Sequence, residues 1–248
     1  MKIKIRDPAR RALAEGGVRL LLAKATRQAR TRAMIFPASR ALRKQIRSAS
    51  GIERCLDIAF DFRFGNLSLA PQQNRSEIEG LLLLLQQAPP KVVLEIGTAS
   101  GATIMLFACV SDGEATLVTV DLPLGISRER LVRSAARGPR QTIRALRTDS
   151  HAAETKASVQ ELLGGRPVDF LFIDGDHSYE GVKADFETYA PFVRPGGFIA
   201  FHDIVPGPEE YVGGVPAFWQ ELKQGRATRE FVASWQQRGL GIGVIETT

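Results

Sequence analysis

The sequence predicts an α/β protein: a seven-stranded, mainly parallel sheet covered by helices, ending in an antiparallel hairpin and preceded by a basic helical arm. Three observations predict it. Short apolar runs of strand length alternate with stretches of helical length from about Ser76 to Gln224. The first five are short apolar runs with crossover-length helices between them, as in a parallel sheet covered on both faces. The last two runs follow closely on each other across "QQRG" and read as a hairpin.

The arm comes first. Residues 1–54 hold 15 Lys/Arg against Asp7, Glu15 and Glu53, a net +12, whereas the rest of the chain holds 18 against 24, a net −6. The overall +6 therefore describes an arm and not the folded body. From Pro8 to about Arg47 the pattern is helical, with breaks expected near Gly16-Gly17 and Phe36-Pro37. Leu13, Leu20, Leu21, Ala25 and Ile35 form an apolar stripe. The plainest reading of residues 1–65 is a solvated appendage that packs on the body or on a second copy, which makes a homo-oligomer the expectation. Arginine-rich amphipathic helices also suit an anionic membrane surface. The absence of interleaved aromatics and of a reading module argues against nucleic acid. An organellar transit peptide would have a similar composition.

The second unit, residues 66–248, carries the sheet. A helix at about Ser76–Gln87 leads into strands Val92–Ile96, Thr116–Val120, Thr142–Arg147, Val168–Ile173 and Gly197–Phe201. Helices Ala102–Val110, Arg128–Arg137, Ala152–Leu163 and Tyr179–Pro191 separate them, and Pro216–Gln224 follows. Arg229–Trp235 and Leu240–Ile245 form the closing hairpin.

Several classes fall away. No apolar run approaches the roughly 18–20 residues that span a bilayer, and Leu81 to Leu85 are far too short. Two cysteines, Cys55 and Cys109, make neither a disulfide framework nor a metal-ligand spacing. With no apolar signal segment visible, a soluble cytoplasmic protein is expected.

In an open parallel sheet, ligands bind beyond the carboxyl ends of the strands. The chemistry-bearing residues lie there. "VVLEIGTASGAT" runs a strand through Gly97-Thr98-Ala99-Ser100-Gly101 into a helix, a turn that lets backbone approach a ligand. Glu95, inside that strand, needs hydrogen bonds, which a ligand's ammonium or the loop amides could supply. Asp121, 24 residues after Gly97, is placed to take ribose hydroxyls. A pyrophosphate would prefer G-x-G-x-x-G, so a ligand carrying a nucleoside and an amino acid fits better than a dinucleotide. In "LRTDSHA", Asp149 and Ser150 either meet an adenine edge or simply cap the next helix.

Glu95-x-Gly97-x-x-x-Gly101, Asp121 and "FIDGDHSYEGVKADFETYAPFVRPGGFIAFHDI" together resemble a class I S-adenosylmethionine-dependent methyltransferase. More narrowly the chain is similar to the bacterial branch of cephalosporin-hydroxylase-like and macrolide-sugar O-methyltransferases, over about Asn66 to Glu246. "IDGDHSYEGV", "HDI" and "GVPAFWQEL" carry the narrower likeness. Ala99 stands where many superfamily members have a further glycine. The resemblance implies a Rossmann-like sheet, an S-adenosylmethionine site at Glu95, Gly97, Thr98, Ser100, Gly101, Asp121, Asp149 and Ser150, and methyl transfer to a hydroxyl of a small molecule or sugar.

The fourth and fifth strands end in Asp174 and in His202-Asp203. Neighbouring strand tips lie about 4.8 Å apart and can converge on one ion. The resemblance implies a divalent cation held by Asp174, Asp203 and His202. Carboxylates suit Mg²⁺, and an imidazole admits Mn²⁺ or Zn²⁺. At the offset of His177 the resembled enzymes carry the general base, and an unperturbed histidine can remove a proton near neutrality. A metal-free version would have Asp174 and Asp203 bind substrate directly. Asp176 and Ser178 read as caps of the following helix. Tyr211 and Trp219 are candidate walls of the acceptor pocket, although Trp219 is equally placed for the core. Two rival functions are a nicotinamide-dependent oxidoreductase on a similar sheet, and a cofactor-binding, non-catalytic partner protein.

Overall fold

The computed structural model describes residues 33–122 and 126–248. Residues 33–47 are helical (α1). They are followed by α2 (Gly51–Asp61), a small hairpin of β1 (Arg63–Phe64) and β2 (Leu67–Ser68), and α3 (Arg75–Gln86). The alternating body runs β3 (Val92–Ile96), α4 (Ala102–Val110), β4 (Thr116–Asp121), α5 (Ile126–Arg133), β5 (Thr142–Arg147) and α6 (Ala153–Leu163). It continues through β6 (Val168–Ile173), α7 (Tyr179–Tyr189), β7 (Val193–His202), α8 (Glu209–Val212), α9 (Val215–Leu222), β8 (Thr228–Phe231) and β9 (Ile242–Glu246).

The sheet has the order β5-β4-β3-β6-β7-β9-β8. Strands β3 to β7 are parallel, and β9 lies antiparallel between β7 and β8. The chain steps outward from β3 through β4 to β5, then returns to the other side of β3 as β6. That reversal opens a crevice at the tips of β3 and β6, where open α/β sheets bind ligands. Period-two alternation divides the core. Val93, Phe170, Phe172 and Ala200 face the side covered by α1 to α5, while Leu94, Ile96, Leu171 and Phe201 face α6, α7 and α9.

The helix break expected near Phe36-Pro37 is absent, since α1 is continuous through both. Ile35, Ala38, Leu42 and Ile46 recur at helical spacing and are all buried, so packing of that stripe on the body outweighs the hydrogen bond a proline removes. The expected break at Gly16-Gly17 and the stripe residues Leu13, Leu20, Leu21 and Ala25 lie outside the described residues. Helix α2, unread in the sequence, joins the same cluster through Cys55, Leu56, Ile58 and Ala59. Strand β8 stops at Phe231 and not at Trp235. The chain then leaves the sheet because Glu77 on α3 captures it: one buried carboxylate accepts hydrogen bonds from Ala233 N (2.9 Å), Gln237 Nε2 (2.6 Å) and Gly241 N (2.9 Å). No described helix is long and apolar enough to cross a membrane.

Candidate active site

A cleft of about 860 Å³ opens over the carboxyl tips of β3, β4, β6 and β7, with Gly97, Asp121, Asp174 and Asp203 in its wall. Gly97 makes the β3 and β6 tips meet. Its backbone has φ +96°, and a β-carbon there would stand 1.9 Å from the Asp174 carbonyl oxygen. Only glycine permits that approach. Asp121, the last residue of β4, reaches back over this turn. Its Oδ2 accepts from Thr98 N at 2.9 Å and Ala99 N at 2.7 Å, which fixes the loop and leaves Oδ1 uncommitted to it. Ala99 is held at φ +41°, in the left-handed region that a residue with a β-carbon seldom adopts.

Three residues expected to touch the cofactor do not reach the cleft. Glu95 is fully buried on the α4 face of the sheet, because alternation turns it away from the tips. Its partner is the register neighbour Thr119, whose Oγ1 donates at 2.5 Å, and not a loop amide or a ligand. Burial, opposed by that hydrogen bond, holds its carboxyl well above the usual carboxylate range. Thr98 turns its hydroxyl down onto Thr119 Oγ1, and Gly101 packs against Val132 of α5. Ser100, Asp149 and Ser150 do line the cleft. Asp149 Oδ1 also accepts from His151 N at 2.9 Å, and Tyr189 donates to the Ser150 carbonyl at 2.6 Å. Sequence reading passed over His151, Gln73 and Arg238, which line the same space.

The opposite end holds the titratable cluster. Asp203 adopts φ +62°, a strained backbone for a residue with a β-carbon, and Leu240 N holds its Oδ1 at 2.9 Å. His177 stands between the acids, with Nε2 3.4 Å from Asp174 Oδ1 and Nδ1 3.5 Å from Asp203 Oδ2. Its Nδ1 also lies 2.5 Å from the Tyr211 carbonyl, which makes that nitrogen the donor and leaves Nε2 to face Asp174. Gln73 Nε2 donates to Asp174 Oδ2 at 3.2 Å. Burial alone would raise Asp174, but His202 and His177 bring it down to about 2. The hydrogen bond to Asp174 raises His177 to about 9, against the effect of burial. It is thus an imidazolium at neutral pH, not the ready base that an unperturbed histidine would be.

One ligand atom from each of Asp174, His177 and Asp203 lies within 4.8 Å of the others, a grouping that could hold a divalent cation. His202, expected in that set, is not part of it. It is buried beside Phe172, with Nδ1 3.1 Å from Asp174 Oδ1 and 3.3 Å from Asp203 Oδ2. Burial opposes its charge, but the two aspartates raise it to about 10, so it braces the acids from behind. Asp176 accepts from Ser178 N at 2.8 Å, and Ser178 caps α7 through Gly181 N at 2.9 Å. Tyr211 lines the cleft, 67% exposed, whereas Trp219 is completely buried on α9 beneath the sheet and forms no wall.

Residues 94–204 match the family model described as a methyltransferase domain. A stretch of 75 residues is 40% identical to an uncharacterized protein of Sinorhizobium fredii, covering 30% of this chain, and the chain spans only 8% of that relative's length. An O-methyltransferase from Bacillus cereus in complex with SAH superposes with TM-score 0.54 at 19% identity, over 81% of this chain and 93% of its own. The O-methyltransferase TomG from Streptomyces achromogenes, involved in tomaymycin synthesis and in complex with SAM, gives 0.53 at 20% identity, over 81% and 91%. Residues 94–204, which hold the glycine turn at the β3 tip and strands β4 to β7, are thus similar to a methyltransferase domain, and the fold is that of the O-methyltransferases on which the chain superposes.

Proposed function

We propose that the chain is an S-adenosylmethionine-dependent O-methyltransferase acting on a hydroxyl of a small molecule or sugar, with a divalent cation at Asp174, His177 and Asp203. One observation carries it: a single cleft joins Asp121 and the β3 turn to a carboxylate–imidazole–carboxylate cluster. The structural neighbours that are O-methyltransferases with SAH or SAM bound support the reading.

The chemistry breaks the sulfonium S–CH₃ bond, forms an O–CH₃ bond and releases the hydroxyl proton. Asp121 keeps one oxygen on the loop amides, and its other oxygen is left for a ribose hydroxyl. Ser100, Asp149 and Ser150 line the same cleft. Asp149 and Ser150 follow β5, on the side of β4 away from the cluster, where the base of the nucleoside would lie. The cluster fits a cation, because the Tyr211 carbonyl fixes Nδ1 of His177 as a ligating histidine's outer nitrogen is fixed. Two carboxylates with one imidazole favour Mn²⁺ over Mg²⁺. When bound, the ion would lower the pKa of the acceptor hydroxyl. His177 has one nitrogen to offer, Nε2, which either ligates or takes the proton. Either use requires that it first lose the proton Asp174 stabilises.

Calorimetric titration with S-adenosylhomocysteine tests the donor half, and Asp121→Ala is expected to weaken binding about tenfold or more through loss of charge-assisted hydrogen bonds. Mn²⁺ binding followed by electron paramagnetic resonance tests the other half. His177→Ala should abolish turnover and Mn²⁺ binding and leave S-adenosylhomocysteine affinity nearly unchanged. A folded chain with no affinity for S-adenosylhomocysteine sinks the proposal. The nicotinamide reading loses support, because the Thr98 and Ala99 amides that would meet a pyrophosphate are engaged by Asp121. Binding without turnover across a broad panel of hydroxyl acceptors would favour the non-catalytic partner.

A further inference from the structure

A second concavity shares no residue with the cleft. It is a groove of about 1560 Å³ between α1 and α5, lined by Arg40, Arg43, Lys44 and Arg47 of the first helix and Arg130 and Arg133 of the second. Positions 40, 43, 44 and 47 fall on one face of α1, opposite the buried stripe of Ile35, Ala38, Leu42 and Ile46. Glu129 is the one acid in the lining and already pairs with Arg133 at 3.8 Å. The other five cations have no ion pair among the described residues. Arg40 with Lys44, and Arg43 with Arg47, are like charges four apart, an arrangement that destabilises a helix. Folding gains nothing from this stripe, so it calls for an anion from outside.

The chain's own N-terminal segment does not supply it. Residues 1–32 add 10 Lys/Arg against only Asp7 and Glu15. At the end of the groove Phe36 is 64% exposed, with the Arg130 guanidinium 3.7 Å from its ring centroid.

We propose that this flank docks on an anionic lipid bilayer, with headgroup phosphates meeting the six cations and Phe36 entering the interface. The cations come from two helices and form a face, not a single track. Phe36 is the one aromatic in the lining and its ring is covered by Arg130, which leaves no platform for stacking successive bases. An exposed aromatic beside a basic helical face is the arrangement that seats at headgroup level. Arginine suits phosphate better than lysine does, and five of the six are arginine.

The test is co-sedimentation of the full chain with vesicles at physiological ionic strength. Vesicles of equimolar phosphatidylglycerol and phosphatidylcholine should retain it, and phosphatidylcholine alone should not. Each Lys/Arg near an anionic surface strengthens binding roughly fivefold, so Arg40→Glu/Arg43→Glu/Arg47→Glu should weaken it at least about a hundredfold. The neutral set Arg40→Gln/Arg43→Gln/Arg47→Gln should lose less, and thermal melts check that both remain folded. Equal binding to the two vesicle types, no binding to either, or undiminished binding of both triple variants overturns the proposal. So does tighter binding to a labelled single-stranded oligonucleotide that competes with the vesicles.

Discussion

At Gly97 the turn, the β3–β6 crevice and the start of the cleft depend on one missing β-carbon. Gly97→Ala would force φ +96° on an alanine and drive its β-carbon into the Asp174 carbonyl. The expected cost is about 2–4 kcal/mol in chemical denaturation, with S-adenosylhomocysteine binding lost as well. A variant within experimental error of the parent would mean that the tips do not meet as described. Glu77 acts at the other end through three hydrogen bonds that hold residues 233–241, and through them the Leu240 amide on Asp203. Glu77→Gln keeps one acceptor and leaves buried donors short, so it should lower stability by about 2–3 kcal/mol. Its Mn²⁺ affinity should also fall, because Asp203 loses its support. Gly97 was legible from its place in the turn. Glu77 was not, because a glutamate in a helix's first turn reads as a solvated N-terminal charge until a distant loop closes over it.

Among the elements, α9 shows how a short helix is made integral. Trp219 is completely buried, packs against Phe201 at 5.8 Å between ring centroids, and donates through Nε1 to Glu230 Oε1 at 2.7 Å. Gly243 of β9 lies directly on it, since a β-carbon there would be 2.5 Å from the indole. Trp219→Ala should cost about 3–5 kcal/mol, with S-adenosylhomocysteine affinity of the folded fraction unchanged, because the indole does not reach the cleft. A selective loss of ligand affinity at undiminished stability would return Trp219 to the acceptor pocket. Strands β3 and β6 match their sequence limits residue for residue, because buried parallel strands are short apolar runs with abrupt polar ends, and the more exposed edge strand β5 matches as well. Strand β8 was overread by four residues for want of a local sign that Glu77 would take Ala233 out of the sheet.

On the scale of the whole molecule, the pH dependence of stability carries an opposing contribution from Asp185. This carboxyl on α7 is wholly buried, with His151 Nε2 3.2 Å from Oδ1. Burial pushes it up to about 6, against the Ser150 hydroxyl and His151, which favour its charged form. The folded value lies above the unfolded value of about 3.9, so the stability it contributes is full below pH 4 and is lost as pH rises through 6. The gap corresponds to about 3 kcal/mol. Asp185→Asn should therefore flatten the stability–pH profile between pH 4 and 6 in urea denaturation, giving a sloping parent-minus-variant difference curve, and leave a more stable protein at pH 8. A difference curve with no slope in that window would show that Asp185 ionises normally. Asp174 behaves oppositely: its value of about 2 contributes stability that is present above pH 4 and lost as pH falls through 2.

The sequence by itself determined the sheet, its crossovers, the terminal antiparallel pair and the row of polar strand tips, since all of these follow from local periodicity and turn chemistry. Only the tertiary structure decided which tips cooperate and in what ionisation state. It put His177 and not His202 among the three donor groups, took Glu95 out of the cleft, and tied Glu77 to Gly241 across 164 residues of chain. Those outcomes depend on burial and on distances of a few ångströms between groups far apart in sequence, and charge state follows from both.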